Sequence, residues 1–220
     1  MHPRRVVPMR AGYGAAGLSA WQPSRISGSV SAIIYYDFTS AESFVLNEIV
    51  QAIPGAPGIA WRGVQADPTL PPLMTALNRR ALARLELEIA DATRAKPDVQ
   101  MALPGGKPNT RRALQAVASV GRMHAARGTD FRTALFREYW WMGHDLSDMA
   151  VIRRVAAQVG VPPWVDFERQ SAQSEQVSWE LAWQAERLGG VPRVIRSDGQ
   201  ILWGVSSESE VRAFLTEPGA

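Results

Sequence analysis

From Val30 to Phe38 the chain is almost continuously apolar, with Ile33, Ile34, Tyr35 and Tyr36 at its centre. A short run rich in β-branched and aromatic residues, without polar alternation, predicts a strand buried on both faces. Asp37, Thr39 and Ser40 then supply N-cap chemistry. Phe44, Val45, Ile49 and Val50 recur at helical spacing, so a helix is expected over 41–53, stopped by Pro54, Gly55, Pro57 and Gly58. A second strand is expected over 59–65. Strand, helix and strand in that order predict parallel pairing through a right-handed crossover.

The pattern then turns helical. Leu73, Leu77, Leu82, Leu85 and Ile89 mark one helix, closed before Pro97, and the segment 103–109 reads as a loop with two prolines and two glycines. Helices follow at about 110–127, 130–142, 147–159 and 166–188. Leu114, Val117, Val120 and Met123 form the stripe of the first, and Ile152, Val155, Ala156 and Val159 that of the third. Sheet signals return at 191–196 and 200–203, flanking Ser197-Asp198-Gly199, whose Asp-Gly marks a hairpin. A last helix is expected over 206–215, capped by Ser206 or Ser207.

Composition narrows the chemistry. The 220 residues include no cysteine, which removes disulfides, thiol nucleophiles, Cys-ligated metals and CxxC redox pairs. No run approaches the roughly 18 apolar residues of a membrane span. The net charge of +3 sits in one place: removing Arg4, Arg5, Arg10 and Arg25, which precede the first acid, Asp37, from 24 basic residues leaves 20 against 21 acidic. No element clusters Lys and Arg with aromatics, so no nucleic-acid partner is expected. Only Lys96 and Lys107 are lysines, a preference for arginine that reads as coding bias.

Residues 1–29 show no period and read as a disordered N-terminal tail, or as a start codon set too far upstream. Arg4-Arg5 does not make an export signal, because Pro8 and Arg10 break the apolar stretch behind it. With no signal and no cysteine, the expected compartment is the cytoplasm. His124 and His144 are the only histidines beyond the tail and share no metal-ligand spacing, so no metal site is expected. His124 reads as structural. His144, beside Gly143 and Asp145, begins a turn before a cap at Ser147. There is no GxSxG elbow and no phosphate-binding glycine loop.

Three segments carry a resemblance. YYDFTSAESF resembles the first strand and active-site turn of 2-hydroxychromene-2-carboxylate isomerases and kappa-class glutathione transferases, whose pattern reads aspartate, two residues, then Ser-Pro-Tyr-Ser-aromatic. NTRRALQAVASVGRMHAARG with FRTALFREYWWMGHDLSD resembles the helical insert of that family, and GGVPRVIRSDGQILWG its Gly-Val-Pro strand and Phe-Trp-Gly turn. The similarity spans roughly 31–215. It implies an α/β thioredoxin fold with a large all-helical insertion, DsbA-like in plan. The thioredoxin-like part would be 30–68 plus 178–217, and the insertion 69–177.

The resemblance also implies chemistry. Ser40 falls on the family's catalytic serine, Val191 and Pro192 on the residues before and at its cis-proline, and Ser206 and Ser207 beside the contact for the γ-glutamyl end of glutathione. The implied cofactor is glutathione or another low-molecular-weight thiol. The implied substrate is a small aromatic or α,β-unsaturated keto acid. A homodimer is compatible with the family, although no interface is legible. Two departures stand out: Pro-Tyr is replaced by Ala41-Glu42, and the charges after Trp-Gly are replaced by Val205-Ser206-Ser207.

Each candidate keeps a plainer alternative. Ser40 caps a helix, or it donates its hydroxyl to a bound thiolate and lowers that thiol's pKa; the two are compatible. Pro192 is either a cis residue that aims the Val191 backbone at a thiol peptide or an ordinary trans edge proline. Asp37 caps the turn or tunes its charge. Tyr139 and Trp140 pack the core or line an apolar pocket between subdomains. The whole chain is a thiol-dependent isomerase or transferase, a non-catalytic thioredoxin-fold scaffold, or a DsbA-like oxidoreductase relative without its cysteines.

Overall fold

The computed structural model describes residues 30–54 and 58–216. The segment 1–29, read above as a tail, lies outside the described residues. Strand β1 (Ala32–Tyr36) is buried at all five positions. It alternates between two cores, as a pleated strand must. Ala32, Ile34 and Tyr36 join the main cluster, whereas Ile33 and Tyr35 meet Val64, Leu188 and Ile195 on the other face. Double burial explains the uninterrupted apolar run. Helix α1 (Ala41–Gln51) returns the chain to β2 (Ile59–Gly63), parallel to β1 in the register Ile34 to Trp61.

The sheet is completed from the far end of the chain. Strand β5 (Arg193–Arg196) runs antiparallel to β1, and β6 (Ile201–Trp203) antiparallel to β5, giving the order β2-β1-β5-β6. The last helix, labelled α7 (Glu208–Thr216), packs Val211, Phe214 and Leu215 into the main core. Its cap is Ser207, whose Oγ accepts from the Glu210 amide at 3.1 Å.

Between β2 and β5 lie a two-stranded ribbon and five helices: β3 (Thr75–Ala76), α2 (Arg79–Thr93), β4 (Gly106–Lys107), α3 (Arg111–Met123), α4 (Ala125–Trp140), α5 (Met149–Gln158) and α6 (Gln170–Ala185). Several of these differ from expectation. Leu73 and Leu77 precede α2 rather than belonging to it, because Asn78 caps the helix by accepting from the Ala81 amide at 2.9 Å. The expected loop at 103–109 contains β4. The break between α3 and α4 falls at His124 rather than 128–129. Gly128 comes so close to Gly121 that a Cβ there would stand 2.7 Å from the Gly121 Cα, so the two helices cross through glycine. Helix α5 is capped by Asp148, and the Ser147 amide and hydroxyl instead donate to Asp145. Helix α6, by contrast, lies within the helix expected over 166–188, and it touches both α3 and β2.

One aromatic cluster joins the helical block to the sheet. The Phe136 ring of α4 lies 4.8 Å from that of Phe38, 5.6 Å from Tyr36 and 6.0 Å from Phe44. Around it α4 adds polar ties to α1: Arg137 pairs with Glu48 at 2.8 Å, and Arg132 Nε and Thr133 Oγ1 donate to Asn47 Oδ1 at 3.1 and 3.3 Å. Phe136 is fully buried. Truncating it to alanine opens a cavity where α4, β1 and α1 meet, and Phe136→Ala is expected to lower stability by about 3–5 kcal/mol. Urea unfolding monitored by far-UV circular dichroism measures the loss; a shift below about 1 kcal/mol would show that the cluster does not hold the block to the sheet.

Candidate active site

Asp37 and Ser40 bracket the turn from β1 into α1, and the Ser40 amide donates to the Asp37 carbonyl at 3.2 Å. Ser40 is extended at φ −92° and ψ 117°, the conformation of a helix cap, and its Oγ accepts from the Ser43 amide at 3.1 Å. The same hydroxyl donates to the Val191 carbonyl at 3.2 Å, across 151 residues of sequence. The Val191–Pro192 peptide bond is cis, so of the two alternatives for Pro192 the trans one is set aside. The Val191 amide donates to no described residue. Ser40 and Val191 therefore share one wall of a cleft of about 430 Å³.

The opposite side of this cleft comes from the helical block. Arg84, Glu88 and Asp91 of α2 and Lys107 of β4 line it, and Glu42 stands beside Ser40. Arg84 is held by Glu88 at 3.1 Å within α2, and Asp91 by Arg94, the α2 C-cap, at 2.8 Å. Two cavities of similar size lie elsewhere, one against Glu138 and Trp141 and one against Lys96 and Gln100. Neither is lined by Ser40 or Val191, so the chemistry favours the Ser40 cleft.

Asp37 is almost fully buried and does not touch the Ser40 side chain. Its Oδ1 accepts from the Thr39 amide at 2.9 Å and the Thr39 hydroxyl at 3.2 Å, and its Oδ2 from the Ala66 amide at 2.7 Å. It thus closes the turn and ties it to the chain leaving β2, as a cap does. Burial pushes its carboxyl above the usual carboxylate range; the amides of Thr39 and Ala66, the charge of Lys107 and the Thr110 hydroxyl act against that rise.

Not every expected residue arrives at the cleft. Ser206 is exposed at the α7 end, Ser207 is occupied as the α7 cap, and neither lines the cleft. Tyr139 and Trp140 line no pocket between subdomains. They are buried, the Tyr139 hydroxyl donating to the Gly106 carbonyl at 3.1 Å and the Trp140 indole to the Phe38 carbonyl at 2.9 Å. His144 sits in the insertion, where its Nδ1 and the Arg154 guanidinium both meet Glu138, and His124 stacks edgewise near Trp164. Lys107 lines the cleft but carries no motif; its only sequence signal was being one of two lysines. Among the described residues no three His, Asp or Glu side chains group as a metal site requires.

No family profile and no curated protein sequence matches this chain. Solved structures do. A candidate protein disulfide isomerase of Nitrosomonas europaea superposes with a TM-score of 0.67 at 16% identity, covering 84% of this chain and 96% of its own. A 2-hydroxychromene-2-carboxylate isomerase gives 0.62 at 17%, covering 83% and 91%. The cytosolic disulfide reductase DsbM of Pseudomonas aeruginosa, solved with GSH, gives 0.60 at 10%, covering 83% and 96%. At such identities the likeness establishes the fold: a DsbA-like thioredoxin fold with a helical insertion. No helix among the described residues is long and apolar enough to cross a membrane.

The Asp37 environment makes a measurable claim. Its folded pKa lies above the unfolded value, so the folded state holds the extra proton. The stability it contributes is complete below about pH 3.9 and is lost as pH rises through the raised folded midpoint. Carbon-detected NMR titration of the Asp37 carboxyl is expected to give a midpoint above 3.8. A midpoint at or below that value would mean that the four hydrogen bonds outweigh burial.

Proposed function

We propose that this protein is a thiol-dependent isomerase or transferase, using glutathione or another low-molecular-weight thiol bound at Ser40. The observation that carries the reading is the 3.2 Å contact between the Ser40 hydroxyl and the Val191 carbonyl, which joins the helix cap and the segment before Pro192 in one cleft. That a 2-hydroxychromene-2-carboxylate isomerase and a GSH-bound disulfide reductase share the fold supports it.

The Ser43 amide fixes the Ser40 oxygen, so only the hydroxyl hydrogen must turn for it to donate to an incoming sulfur. Donation to the charged form lowers the thiol's pKa, and the N-terminus of α1 favours the same charge. The unengaged Val191 amide suits a thiol peptide lying alongside as an added strand. The thiolate then adds to the β-carbon of an unsaturated keto acid. A C–S bond forms and the π electrons move to the carbonyl oxygen as an enolate. The former double bond rotates, the enolate returns its electrons, the C–S bond breaks and the thiolate leaves unchanged. A protein without cysteine thereby performs sulfur chemistry.

One observation favours a second reading. Both hydrogen bonds of the Ser40 hydroxyl are made inside the protein, and Glu42 places a carboxylate beside the site, as suits a thioredoxin-fold scaffold without catalysis. Calorimetry with glutathione, paired with thiolate absorbance near 240 nm, separates them. The isomerase reading expects millimolar or tighter binding with a thiolate signal at neutral pH. Ser40→Ala is expected to abolish that signal and to cost helix stability of about 1 kcal/mol through the lost cap. Absence of thiol binding to the native protein, or a thiolate signal surviving in the variant, would favour the scaffold.

A further inference from the structure

The β3–β4 ribbon takes no part in the reading above, yet its position is tightly determined. Thr75 pairs with Lys107 and Ala76 with Gly106. The buried Tyr139 hydroxyl holds the Gly106 carbonyl. Two residues beyond Lys107, Asn109 donates to the Leu70 carbonyl and accepts from Gln65, both at 2.8 Å. A Cβ on Gly106 would lie 2.8 Å from Met74 Cγ and 2.9 Å from the Thr75 carbonyl, so the ribbon closes only around glycine.

What this scaffolding delivers to the cleft is Lys107. Its ammonium makes no hydrogen bond or ion pair with any described residue. The other cation lining the cleft, Arg84, is paired with Glu88, and the chain's other lysine, Lys96, with Asp98 at 3.1 Å and Glu208 at 3.0 Å. Asp37 feels the charge of Lys107 but already has its oxygens filled by Thr39 and Ala66. Glu88 and Asp91 are paired with arginines at α2, and Glu42 lines the α1 side. A ligand with one negative end is thereby oriented.

The geometry points to Lys107 as the carboxylate-recognition residue of this cleft, fixing a carboxylate-bearing ligand with its reactive end at Ser40 and Val191. This rests on the proposed function for the reactive end only. The carboxylate comes either from the keto acid or from the glycyl end of the thiol, and the probes distinguish them. Benzylidenepyruvate and its methyl ester, and glutathione and its glycyl ethyl ester, are titrated by calorimetry into native protein, Lys107→Gln and Lys107→Arg.

In Lys107→Gln, one acid is expected to lose about tenfold to a hundredfold in affinity while its ester binds unchanged, and Lys107→Arg is expected to stay within a few-fold of native. A loss confined to benzylidenepyruvate assigns the carboxylate to the substrate, and one confined to glutathione assigns it to the thiol. If Lys107→Gln binds both acids as native does, if esters lose as much as acids, or if native protein binds neither acid, the inference is overturned. Should glutathione fail to bind while benzylidenepyruvate binds in a Lys107-dependent way, the thiol reading falls and this one stands. Thermal melting of each variant confirms that a lost affinity is not lost folding.

Discussion

Where β1 ends, the Phe38 carbonyl is buried with no strand to pair it, and the Trp140 indole N–H at 2.9 Å is what satisfies it. An unpaired buried carbonyl costs about 1–3 kcal/mol, and this one lies two residues before Ser40. The next residue back along α4, Tyr139, does the same for Gly106, one residue before Lys107. Consecutive aromatic side chains on one helix therefore fix both walls of the cleft. The insertion is not an ornament on the thioredoxin core; it sets the distance between the helix cap on one side and the cationic ribbon on the other.

Much of this was legible in the sequence, for identifiable reasons. Double-faced burial leaves a recognisable run, so β1 was readable, and a helix that follows Asp-Phe-Thr-Ser announces its own cap. Ser40 and the Val191–Pro192 segment were paired on the resemblance, and the sheet order β2-β1-β5-β6 is what brings the two turns together in the fold. The ribbon was not. Two-residue strands carry no period, and Leu73 and Leu77, which stand outside α2, completed a helical spacing by chance. The α3–α4 break was misplaced because His124 has no breaker chemistry, the crossing being set by the Gly121–Gly128 approach, which only the folded pair shows. Ser206 and Ser207 were assigned a ligand on resemblance, and Ser207 is instead engaged in the ordinary work of a cap.

Lys107 was missed for a different reason: a single lysine in a loop has no pattern. The preference for arginine was read as coding bias, and at most positions nothing contradicts that. Lys96 and Lys107 have opposite surroundings, however. Lys96 is neutralised by two carboxylates, whereas Lys107 faces a cleft. The type of residue was visible in the sequence, but its lack of a partner among the described residues was not, since that is a property of the fold.

The charges of the α1–α4 contact show the same economy of partners under harsher burial. Arg132 is 3% exposed, and among the described residues its Nη2 has no partner and no carboxylate is bonded to it. Burial lowers its pKa to about 10, with the charges of Tyr36 and Asp130 acting the other way. What makes the charge tolerable is the Trp61 ring, 3.9 Å beneath the guanidinium carbon, together with the Asn47 oxygen at Nε. Trp61 belongs to β2 and Asn47 to α1, so one buried cation is stabilised only when strand, crossover helix and insertion are all in place. A neutral side chain there would pack against the same surfaces without requiring both. The arginine therefore specifies the relative placement of three elements, and with it the orientation of the α1 cap on which Ser40 sits.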